Sequence, residues 1–141
     1  EMRFGVRLHV LSRETETEAI EAGEAVISGV TPEYLSRAQA TIRATDSAGE
    51  SRQRAFTDIA GLWPEANLWA GIGQVRRGVG VTVVGSHEQV ARKFLGYVDM
   101  GLSFFILSGY PHLEEAENAG KTWLPMFWEL YRQRQASLAA G

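Results

Sequence analysis

Ser103-Phe104-Phe105-Ile106-Leu107-Ser108-Gly109-Tyr110-Pro111-His112 decides how the rest of the chain is read. The first half is a short apolar run, and the second half is polar and turn-forming. A run hydrophobic on both faces reads as a strand of a parallel sheet, buried on both sides. Gly109 and Pro111 stop it, so Tyr110 and His112 stand just past its carboxyl end. In parallel α/β architectures that rim is where ligands bind. The segment before it supports the same reading. Ser86 and Gln89 have the spacing of a capping box, and Val90, Ala91, Phe94, Leu95 and Val98 form a helical apolar stripe. Asp99-Met100-Gly101 ends that helix just before the apolar run. Helix, short turn and buried strand is the α/β repeat. His87, in the first turn, is expected to be exposed.

Working toward the amino terminus, Arg3 to Leu11 alternates with period two. Phe4, Val6, Leu8 and Val10 share one face; Gly5, Arg7 and His9 share the other. Two placements fit. Arg7 and His9 point into a barrel, which is costly unless a ligand or polar network receives them, or they line the wet face of an exposed edge strand. Ser12 to Ser28 reads as a helix with Glu14, Glu16 and Glu18 in its first turns, where the helix dipole favours acids. Thr31-Pro32-Glu33 starts a second helix, with Thr31 as cap and Pro32 in the first position. A short helix is expected over Ser51 to Ile59.

Asn67 to Gly80 carries Gly71, Gly73, Gly78 and Gly80 around Gln74-Val75-Arg76-Arg77. Glycines permit unusual dihedrals and mobility. Arginines in such a segment suit closure over an anionic ligand, although a solvated loop with incidental charge has the same composition. It is neither a Walker loop nor a dinucleotide fingerprint. Beyond His112 a further helix begins with Glu114 and Glu115 at its dipole-favoured end, and Pro125 is expected to break it. Trp123, Phe127, Trp128 and Tyr131 suit a packed or interface face, and a frayed tail is expected from Ser137.

Composition narrows the function. The chain has 141 residues, 45% of them hydrophobic, a formal charge of -3 and no cysteine. The charge disfavours a nucleic-acid surface. The lack of Cys removes disulfides and thiolate metal sites, and no metal centre is expected. With no signal peptide and no apolar run of membrane-spanning length, a cytoplasmic protein with no membrane association is expected.

Several motifs, taken in order, resemble a known family. They are Arg3-Phe4-Gly5-Val6-Arg7-Leu8-His9-Val10, Arg37-Ala38-Gln39-Ala40, Asp46-Ser47-Ala48-Gly49, Asn67-Leu68-Trp69-Ala70-Gly71-Ile72-Gly73, Val75-Arg76 with Gly78 and Gly80, and Leu107-Ser108-Gly109-Tyr110-Pro111-His112-Leu113-Glu114-Glu115-Ala116. Together they are similar to the carboxyl-terminal part of the alkanesulfonate monooxygenases, which belong to the bacterial luciferase-like flavin enzymes. The resemblance runs from residue 3 to about residue 116 and is weakest between about Gln53 and Ala66 and after Ala116.

The resemblance implies an α/β chain forming the last two strands and associated helices of a luciferase-like (β/α)8 TIM barrel. Arg3 to Leu11 would be its seventh strand and Ser103 to Ser108 its eighth. Residues from about 31 to 80 would be an insertion containing a mobile lid. A full barrel needs ~250 residues, so residues 1–141 are expected to be a portion of a larger barrel, completed by more chain or by partner chains.

The implied chemistry is desulfonation of an alkanesulfonate to aldehyde and sulfite, using reduced FMN and O2, in sulfur acquisition. A separate flavin reductase supplies the FMN, and a homo-oligomer is expected. Arg7, His9, Arg76, Tyr110 and His112 are the candidate catalytic residues, with Arg7 and Tyr110 also toward the flavin. Guanidinium groups suit this work because they stay charged and bind oxyanions bidentately. His9 suits a proton relay. The rival expectations are a related enzyme acting on a sulfone or other small substrate, a deazaflavin-dependent reductase, and a non-catalytic barrel fragment that needs a partner chain.

Overall fold

The structure, a computed structural model, describes residues 2–44, 48, 51–52, 55, 58, 61–76 and 80–140. Its centre is β1 (Phe4–Arg13), which pairs in parallel with β3 (Thr82–Ser86) on one side and β4 (Leu102–Ser108) on the other. The two-residue β2 (Leu68–Trp69) joins β3 antiparallel, giving the order β2-β3-β1-β4. The molecule is thus an α/β domain with a mixed sheet. The two-strand expectation is exceeded, because Thr82–Ser86 stands as a strand on β1's second edge.

Six helices are defined among the described residues: α1 (Glu16–Ile27), α2 (Pro32–Arg43), α3 (Gly71–Val75), α4 (His87–Asp99), α5 (His112–Lys121) and α6 (Trp123–Ala140). Local chemistry explains their starts. Thr15 and Glu18 form a capping box on α1, Thr31 caps α2 with Pro32 just inside, and Ser86 and Gln89 form the box on α4. α1 begins later than the sequence suggested because Ser12 and Arg13 extend β1. The break expected at Pro125 falls at Thr122, and Pro125 sits in the first turn of α6, where its missing N–H has no helical partner to lose. The expected frayed tail is helical to Ala140. Ala48, Ser51, Arg52, Ala55 and Asp58 are helical, and the rest of the expected 51–59 helix lies outside the described residues.

The alternation of β1 sorts two cores onto the two sheet faces. Leu8, Val10 and Val83 pack beneath α4 and α6 with Val90, Phe94, Trp123 and Phe127. Phe94 stacks on Trp123 at 4.9 Å and meets Phe105 edge-on at 5.4 Å, and such pairs add ~1 kcal/mol each beyond burial. On the other face Leu11 and Val84 join Ala19, Trp69 and Ile72.

The strand read as buried on both faces is not. β4 lies at the sheet edge, and Phe104, Ile106 and Leu107 are 56%, 50% and 37% exposed. The apolar run identified a strand correctly but overstated its cover, because only β1 flanks β4 among the described residues. Of this run, Phe105 packs against the α4–α6 core.

Candidate functional site

The site grows from one row across the sheet. His9 pairs with Thr82 of β3 and with Ser108 of β4, so the three side chains stand on one face. His9 is 2% exposed, and Ser108 Oγ lies 3.3 Å from its Nδ1. Thr82 is 1% exposed, and its Oγ1 has no hydrogen-bond partner among the described residues. Burial pushes the His9 pKa down from 6.5 to about 4, and the charges of Arg7 and Arg76, with His112, push the same way. His9 is therefore a neutral imidazole at pH 7.

Tyr110 reaches His9 because the chain turns tightly at Gly109. A Cβ there would meet Glu115 Cβ at 2.5 Å and the Val10 carbonyl oxygen at 2.9 Å, so only glycine lets β4 end this close to β1 and α5. Tyr110 then stacks on His9, with centroids 5.1 Å apart and planes 11° apart. His112, at the start of α5, lies 4.6 Å from the Tyr110 ring. Arg76, just after α3, places its guanidinium carbon 5.1 Å from the Tyr110 centroid, within cation–π range.

Arg7 is two residues before His9 on the same strand face and acts electrostatically on it. Its side chain is exposed, because β3 pairs with β1 only from His9 onward and leaves Arg7 with a strand on one side. Among the described residues, Arg7 and Arg76 make no ion pair with a carboxylate. All five candidate residues thus meet at one end of the sheet. Arg77 and Gly78 lie outside the described residues.

A cleft of about 480 Å³ opens beside this cluster, with Arg76 and Tyr110 on one wall and Val26, Ile27, Val30 and Ile72 among its apolar lining. The glycines around Arg76 were read as hinges, but Gly71 has another role. It is buried, and a Cβ there would fall 1.9 Å from the Trp69 ring, so it permits close packing.

The sequence reading missed a neighbouring polar knot. His87, expected to be exposed, is 7% exposed, with its Nδ1 3.0 Å from Ser12 Oγ and its Nε2 3.6 Å from Glu14 Oε1. Asn118 Nδ2 donates to the Ser12 carbonyl oxygen at 2.9 Å. Glu115, read as a dipole-favoured acid, is buried and pairs with Arg13 at 2.8 Å. These contacts tie the carboxyl end of β1 to α4 and α5 and so hold the Tyr110 turn in place. No spacing in the sequence marks them, since each joins residues far apart in the chain.

The cluster's chemistry can be set against the flavin that the resemblance implies. Two guanidiniums with no ion pair among the described residues, a neutral imidazole and a phenol suit the negatively charged, hydrogen-bonding side of such a group. The Tyr110 ring itself is already engaged by His9, His112 and Arg76. Among the described residues no group of His, Asp or Glu side chains could hold a metal ion, and no helix is long and apolar enough to cross a membrane. No family model matches the sequence.

Proposed function

We propose that this chain is the carboxyl-terminal part of a luciferase-like flavin-dependent monooxygenase that desulfonates alkanesulfonates with reduced FMN and O2. The observation that carries the reading is the meeting of Arg7, His9, Arg76, Tyr110 and His112 from three distant segments beside an apolar cleft. An alkanesulfonate has an apolar tail and a permanent anion, and the cleft pairs an apolar lining with a guanidinium.

Reduced FMN, when bound, supplies the electrons that activate O2. The chain's own residues supply the surroundings. Arg7 and Arg76 hold oxyanions by charge-assisted hydrogen bonds. The Tyr110 hydroxyl donates a hydrogen bond toward the reacting oxygen. Neutral His9 takes up a proton more readily once an anion offsets the two guanidiniums that now oppose its charge, and Ser108 is placed to pass that proton along. Closure around Arg76 would exclude water, which otherwise promotes loss of the oxidant as hydrogen peroxide. A neutral sulfone would gain little from two guanidiniums, so the sulfonate reading is preferred.

A second reading has its own support. The exposed Phe104 and Ile106 on the edge strand β4 suit a fragment whose role is to pair with another chain. Anaerobic titration with reduced FMN, followed by tryptophan fluorescence, separates the two. The enzyme reading expects saturable binding that Arg7→Gln weakens by about tenfold, the loss of one charge-assisted bond. No saturable binding contradicts it and favours the assembly reading.

A further inference from the structure

A second cleft, about 320 Å³ in volume, lies on the other side of Arg76, between α2 and the end of α3. Tyr34 and Arg37, three residues apart on α2, face it together with Arg76, and Ile42 and Val75 add an apolar lining. Two guanidiniums therefore border one concavity. Among the described residues, no ion pair neutralises either of them. Both side chains are exposed, so each guanidinium is open to an anion arriving from solvent.

We propose that Arg37 and Arg76 form a binding site for a free tetrahedral dianion, adjacent to the His9–Tyr110 cluster and sharing Arg76 with it. Two positive charges are neutralised by two negative ones. The guanidinium fork matches two oxygens of a tetrahedral oxyanion. Arg76 can serve this site because its backbone leaves α3 in an extended conformation, φ -141° and ψ 133°, and its side chain borders both clefts. The Tyr34 phenol and the Thr41 hydroxyl, which donates to the Arg37 carbonyl oxygen, are further polar groups in this lining. The site does not depend on the flavin reading, since it uses only charge and shape.

Calorimetric titration of the 141-residue chain with sodium sulfate tests it, with methanesulfonate as the second arm. Methanesulfonate has the same tetrahedral head but a single charge, so it represents the head group of a sulfonate substrate. Wild type should saturate with sulfate and bind methanesulfonate about tenfold more weakly. Arg37→Gln should weaken sulfate by about tenfold, or ~1.4 kcal/mol, and Arg37→Lys by less, because the charge stays while the fork is lost. Arg7→Gln should leave sulfate affinity within about twofold, since Arg7 does not line this cleft. Circular dichroism of each variant controls for folding. Absence of saturable sulfate binding overturns the proposal. So does an undiminished Arg37→Gln, equal affinity for the two anions, or an Arg7→Gln loss matching that of Arg37→Gln.

Discussion

A histidine buried under a tyrosine ring and facing two guanidiniums has little scope to hold a proton. His9 is in that position, with its pKa lowered to about 4. The consequence for stability has a definite sign. The unfolded chain binds a proton on His9 below about 6.5 and the folded chain does so only near 4, so acidification favours unfolding across that window. The stability contribution is complete above pH 6.5 and falls as pH drops toward 4, by an upper bound of ~3.4 kcal/mol at 1.36 kcal/mol per unit. Urea denaturation across this range should show a decline that His9→Asn flattens, after subtraction of the carboxylates common to both proteins. A His9 ring that titrates near 6.5 by NMR would contradict the account. The candidates His9, Tyr110 and His112 were legible because strand alternation and strand ends mark them. Ser108, Thr82, His87 and Glu115 were not, because their roles depend on sheet register and on helix docking.

Elements were legible where local chemistry decides them. The capping boxes at Thr15 and Ser86, and the Thr31-Pro32 start, are visible in sequence and present in the fold. α3 was not. Its glycines read as mobility, whereas Gly71 is small because the Trp69 ring occupies the space a side chain would take. Trp69 is buried in the core with Leu11, Ala19, Ile72 and Val84, and also faces Gly23 at 3.5 Å from an ideal Cβ. Gly71→Ala should therefore cost ~3 kcal/mol, the upper end for overpacking, and should displace Arg76 from Tyr110. A denaturation midpoint equal to wild type would show that the ring can move and that the reading of α3 is wrong.

At the scale of the molecule, the α/β class followed from the helix–turn–strand pattern of residues 86–108, and three parallel strands are present. The number of strands and the exposure of β4 did not follow. Hydrophobicity records that Phe104 and Ile106 favour burial, not what buries them. Their exposed faces suit the remainder of a barrel, as the proposed function expects. The pairing of β1 with both β3 and β4 brings residue 9 beside residue 108, so the site exists only when the whole sheet forms. The proposed role of that site is to shelter an oxidant from water, and coupling measures this directly. With reduced FMN, O2 and an alkanesulfonate, sulfite formed per FMN oxidised should be high for the wild-type protein. For Arg76→Ala it should fall about tenfold or more, with hydrogen peroxide rising to match. No sulfite from wild type, or the same sulfite-to-peroxide ratio in both proteins, would contradict the account.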